Sequence, residues 1–182
     1  VPEVMEDMVK YNLYLPINLR RSLAIEPENV RQNYGEPGWA FLGPVKTLLD
    51  SGVKVVGEGE IGDPTPETYF DILDVYVNRE IANGESDDKG PPAQFGQGIV
   101  YVAEEGIDRV VALKLFTYRS AEFLLAETKI GSLEVGKYAD FIVADKPFLS
   151  GNDVDIKNNK VVLTVTAGEE RYRDPAFQPV RR

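Results

Sequence analysis

The chain contains no histidine and no cysteine in 182 residues, and only one tryptophan and two methionines. Without imidazole or thiolate it cannot supply the ligands on which hydrolytic zinc centres ordinarily rely, and a serine nucleophile has no histidine base beside it. No disulfide can close, which fits a reducing compartment. Positive charge is scarce as well. Twenty Lys and Arg against thirty Asp and Glu give a net charge of -10 and a pI near 4.6, which argues against a nucleic-acid surface or an anionic membrane patch. No apolar run approaches the roughly 18 residues of a transmembrane helix, and the N-terminal VPEVMEDMVK is too acidic for a signal peptide. The glycines at Gly57, Gly59 and Gly62 do not make a dinucleotide fingerprint, and no phosphate-binding glycine loop runs into Lys and Ser or Thr. These absences predict a soluble, cytoplasmic protein with neither nucleic acid nor membrane as partner.

What is present is globular: 43% of residues are hydrophobic and 27% charged, enough for one domain with a buried core. Tyr11–Leu19 alternates as a strand, with Pro16 limiting its ladder. Arg20–Trp39, interrupted by Pro and Gly, reads as a long loop with a short helix at Pro27–Gln32. Val45, Leu48 and Leu49 form a helical stripe that starts at Pro44 and stops at Gly52, and Val53–Val56 follows as a strand. That order is the αβ half of a parallel unit. Thr65 caps a helix whose apolar face is Tyr69, Ile72, Leu73, Tyr76 and Val77, ending near Asn83. Residues 85–98 are acidic and rich in Gly and Pro, an exposed linker or lid, and Asp108 caps a helix that breaks near Thr117. Lys160–Thr166 alternates as a strand and turns back through Ala167–Glu170.

The stretch Ile130–Asp145, IGSLEVGKYADFIVAD, combines two glycines, an alternation at Leu133 and Val135, and a short apolar run at Phe141–Ala144. By residue pattern alone it is a hairpin or a turn delivered into a strand. With the preceding Arg109–Leu125 it resembles the end of a metal-dependent amidohydrolase, most closely the branch called amidohydrolase family 3. In that family a helix pair leads out of a TIM-type barrel into a GSLE.GK.ADF.V.D turn, and the chain returns to a small β-sandwich. The resemblance extends from about Tyr11 to Tyr172. It implies an α/β fold made of the closing strands and helices of a TIM-type barrel (residues 1–129, with the loop 85–98) and C-terminal strands of a small β-sandwich (residues 130–182), incomplete as a stand-alone fold. Val1 in first place, where an initiator Met would stand, adds to the expectation of the back part of a longer protein.

The resemblance also points to a site. The family carries, after its last barrel strand, a Gly-Ser-Asp-like motif whose aspartate binds metal and takes the proton from the attacking water. Aligning Gly52-Val53 with the family's Gly-Val brings Gly59-Glu60 to that step, which makes Glu60 the candidate general base. Its extra methylene shifts the carboxylate by about one bond length, and a misplacement near 1 Å costs on the order of 10²-fold in rate. Asp63 and Glu58 in the same loop are alternatives. The plainer reading is that these acids are solvated, or in the case of Asp63 cap the helix at Pro66. Arg31, Tyr34 and Trp39 offer a guanidinium and aromatic planes suited to an organic ligand with a carboxylate, or else they anchor a long loop.

The function implied is the C-terminal portion of a metal-dependent hydrolase acting on C–N, amide-type bonds of a small-molecule substrate. A divalent metal such as zinc would be bound in the complete protein and none by this chain alone, because the missing N-terminal barrel portion would furnish the histidines. This chain by itself is expected to be inactive. An alternative is a non-catalytic binding or regulatory protein on a degenerate amidohydrolase scaffold. A third is a homo-oligomer assembled through open strand edges.

Overall fold

The computed structural model describes residues 2–25, 27–59, 69–81 and 99–178. The chain is a mixed α/β protein with small sheets. Helix α1 (Pro2–Lys10) hands over to strand β1 (Tyr14–Ile17) through Asn12, a residue type that tolerates the left-handed region it occupies at φ 54°. Strand β1 pairs in parallel with β2 (Lys54–Gly57), in a register from Tyr14 opposite Lys54 to Ile17 opposite Gly57. Among the described residues, β1 and β2 pair only with each other, so each has an outer edge without a neighbouring strand.

Between them the chain is helical where a long loop was expected. Helices α2 (Leu19–Ile25) and α3 (Pro27–Ala40) occupy the stretch. The breakers are real but are absorbed. Pro27 takes the first position of α3, where a missing N–H costs nothing, and the helix is interrupted at Gly35 (φ 65°, ψ -164°) before resuming through Pro37. What the breaker count hid is the apolar pair Leu19 and Leu23, one helical turn apart and both wholly buried. Helix α4 (Val45–Asp50) and β2 then follow as expected, with Pro44 as the N-cap residue rather than the first helical one.

Helix α5 (Tyr69–Asn78) buries Ile72, Leu73 and Tyr76 of the expected face and half-buries Val77, but Tyr69 is exposed and Phe70 takes its place in the core, and the helix stops five residues before Asn83. Arg79 adopts φ 58°, and the chain turns into strand β3 (Glu80–Ile81), antiparallel to β4 (Ile99–Val100). The expected Thr65 cap and the 85–98 segment lie outside the described residues. The core gathers around β2: Val55, Val45 and Leu48 meet Ile72 and Tyr76 of α5, with Ala112 and Leu115 of the next helix.

That helix, α6 (Arg109–Phe116), begins at the expected cap: the Asp108 carboxylate accepts from the amides of Val110 (2.8 Å) and Val111 (3.3 Å). It breaks at Thr117 (φ -119°, ψ -85°) before α7 (Tyr118–Phe123). Strands β5 (Phe141–Ala144), β6 (Val161–Thr166) and β7 (Glu169–Arg173) form one antiparallel sheet in sequence order. The alternation at Leu133 and Val135 belongs to a turn rather than a strand, and both side chains are exposed. Arg109, 8% exposed, ties the start of α6 to the segment that follows β5. It donates to the carbonyls of Phe148 (2.8 Å), Ser150 (3.1 Å) and Gly151 (3.1 Å), and pairs with Asp153. The 3-10 turn Asp153–Asn158 lies against α5 and buries Ile156 in the core. No helix among the described residues is long and apolar enough to cross a membrane.

Candidate functional site

The parallel pair has its C-terminal ends at Ile17 and Gly57, and the acidic segment leaves from there. In parallel α/β architectures the loops beyond these strand ends are where ligands are met. Glu58, the first residue past β2, is exposed; its amide donates to the Ile17 carbonyl at 3.0 Å, extending the ladder by one rung. Glu60 and Asp63 lie outside the described residues.

Behind the strand ends stands Tyr76, wholly buried, whose hydroxyl donates to the Ile17 carbonyl. Burial pushes its phenol up to about 12, against the opposing effect of the Glu58 and Leu19 amides. The sequence marked Tyr76 as one member of an apolar face; only the fold reveals that its polar end reaches both strands. Beneath it Arg79, also wholly buried, donates to Tyr101 O (3.0 Å), Gly43 O (2.8 Å) and Leu42 O (2.6 Å). Burial pulls its guanidinium down to about 10, opposed by the Glu105 charge, so it stays a cation at neutral pH. Glu105 in turn accepts from the Thr47 amide at 2.9 Å and from the Thr47 hydroxyl. These groups fix the chain that feeds α4 and β2.

Two of the three residues expected to contact substrate come together. The Arg31 guanidinium lies 4.2 Å over the Trp39 ring and its Nε donates to Glu36 at 3.1 Å, while Trp39 packs at a tilt against Tyr101, 5.6 Å between ring centres. Tyr34 shares helix α3 but points outward, 72% exposed. Among the described residues no hydrogen bond or ring contact joins this cluster to Glu58.

A divalent ion does not fit the described residues. Among them no three Asp, Glu, His or Cys side chains converge as a metal site, and the chain has no imidazole or thiolate anywhere.

A parallel strand pair flanked by helices, with an antiparallel sheet downstream, defines a mixed α/β chain with small sheets. The chain belongs to the Amidohydrolase family, whose profile matches residues 2–172. Among solved structures it resembles a Xaa-Pro dipeptidase with methionine bound in the active site: 20% identity, TM-score 0.56, 93% of this chain and 37% of that one. It also resembles an amidohydrolase from Thermotoga maritima MSB8: 16% identity, TM-score 0.57, 95% and 35%. A third is a prolidase complexed with N-methylphosphonate-L-proline: 18% identity, TM-score 0.56, 96% and 38%. At these identities the likeness is one of fold. The chain spans between 35% and 38% of the length of these three structures. No curated protein matches it.

Proposed function

We propose that this chain is the C-terminal portion of a metal-dependent hydrolase that cleaves C–N, amide-type bonds of a small organic substrate. Residues 1–129 would supply the last two barrel strands with their helices, and residues 130–182 would supply strands of a small β-sandwich. A missing N-terminal portion would pair with the open edges of β1 and β2 and bring the metal ligands. The observation that carries the reading is the match to the family along 2–172, combined with a carboxylate-bearing segment that leaves the C-terminal end of a parallel strand. Amide hydrolysis needs a base to take a proton from the attacking water. Glu60 is assigned that role, with Asp63 and Glu58 as alternatives, and Arg31 with Trp39 and Tyr34 is assigned to the substrate's carboxylate end.

The test is hydrolysis by the longest polypeptide that carries this sequence. The Xaa-Pro dipeptidase and prolidase among the similar structures make dipeptides ending in proline the first substrates to try. We expect turnover that a chelator abolishes and zinc restores, and a loss on the order of 10²-fold or more in kcat for Glu60→Gln. Residues 1–182 alone should show neither turnover nor stoichiometric zinc. Zinc-dependent hydrolysis by the isolated chain, or full activity in Glu60→Gln, Asp63→Asn and Glu58→Gln alike, would sink the reading.

A further inference from the structure

One buried hydroxyl spans the exits of both parallel strands. Tyr76 Oη donates to the carbonyl of Ile17, the last residue of β1, and lies 3.4 Å from the amide of Glu58, the first residue past β2. The same amide also donates to Ile17 O at 3.0 Å, so three groups close a small triangle at the strand ends. With its pKa pushed up to about 12, the phenol remains a donor throughout the physiological range.

The ring itself is held edge-on against Phe116 of α6, 5.1 Å between centres at 88°. Phe116 and Ile72 in turn leave the departing chain no lateral room. A Cβ built at Gly57 would lie 2.4 Å from the Phe116 ring, and one at Gly59 would lie 2.5 Å from Ile72 Cδ1. Glycines on both sides of Glu58 allow this close passage but contribute no side chain to restrain the backbone. The restraint has to come from outside the segment, and Tyr76 is the side chain that bonds to it.

We propose that Tyr76 is a positioning residue: its hydroxyl fixes the backbone at Glu58 and thereby the direction in which the acidic segment leaves β2. The inference rests on the functional reading above, in which a carboxylate past β2 takes the proton. A displacement of about 1 Å in such a group costs on the order of 10²-fold in rate, so a single remote hydroxyl controls turnover without touching substrate.

The experiment compares Tyr76→Phe, which keeps the ring, with Ile156→Val, which loosens the core beneath α5 but leaves the hydroxyl and the ring's neighbours at the strand ends in place, both in the longest protein carrying this sequence. In Tyr76→Phe, amide hydrogen exchange in a peptide covering Lys54–Gly59 should accelerate about tenfold or more. In the same variant kcat for an Ala-Pro substrate should fall about tenfold or more with KM within about threefold. Ile156→Val should melt earlier yet keep kcat within about threefold. Tyr76→4-aminophenylalanine, which returns a donor at the para position, should restore exchange and kcat, and also folding should Tyr76→Phe fail to fold. Unchanged exchange in folded Tyr76→Phe overturns the proposal, as does an equal loss of kcat in Ile156→Val. If the wild-type protein hydrolyses no amide, the functional reading fails and the exchange measurement alone decides on Tyr76.

Discussion

Asp74 sits on α5 with 4% of its surface exposed, facing Asn78, whose amide nitrogen donates to it at 2.8 Å. Burial raises its pKa from 3.8 to about 6, an effect that Glu80 and Asp71 reinforce and that Asn78 and Lys157 oppose. The native state therefore holds this proton more tightly than the unfolded chain does. Its contribution to stability is complete below about pH 4, declines as pH rises towards 6, and is absent above that; the full swing is about 3 kcal/mol. Asp74→Asn, which keeps an acceptor for Asn78 and never ionises, should flatten the pH dependence of Tm between 4 and 6 and raise Tm at pH 7.5. A variant that melts with the wild-type pH profile would show that the burden lies on another group. None of this was visible in the sequence, where Asp74 is one acid among thirty Asp and Glu.

Elements were legible where local chemistry decides them. Asp108 is the clearest: an Asn or Asp type residue before an apolar run predicts a cap, and the carboxylate does accept from two amides of α6. Asp108→Ala should cost about 1 kcal/mol, seen as a lower midpoint in urea with an unchanged slope, while Asp108→Ser should recover most of it. The glycine at 52 and the alternation of Val161–Thr166 were equally readable, because each depends on neighbours in sequence. Arg20–Trp39 was misread for the opposite reason. Leu19 and Leu23 are helical because they meet the core made by α4 and α5, and tertiary burial outweighs the proline and glycine between Pro27 and Gly38. The end of α5 was misplaced because Arg79 leaves the helix to bond three carbonyls distant in the chain, a contact no local pattern announces. The site divides along the same line. Glu58 is a candidate only through the family resemblance and Arg31 with Trp39 only through residue type, whereas Tyr76 is announced by neither, since its oxygen matters for which two strand ends it reaches.

At the scale of the molecule, the family motif IGSLEVGKYADFIVAD carried most of the information about kinship and none about chemistry. Its central part, with Leu133 and Val135 turned outward at 69% and 108% exposure, joins α7 to the antiparallel sheet as a turn rather than a packed layer. The parts of the chain before and after the motif meet instead through Arg109, whose guanidinium binds three carbonyls and a carboxylate between Phe148 and Asp153, and through Ile156 beneath α5. Covalent continuity across the motif is thus dispensable for keeping the halves together. A protease nick at Val135 should yield two pieces that co-migrate on a native gel and part only in denaturant, and the same nick in Arg109→Met should let them part at a lower denaturant concentration. The motif by which the chain is placed among its relatives would then be the stretch it could best survive having cut.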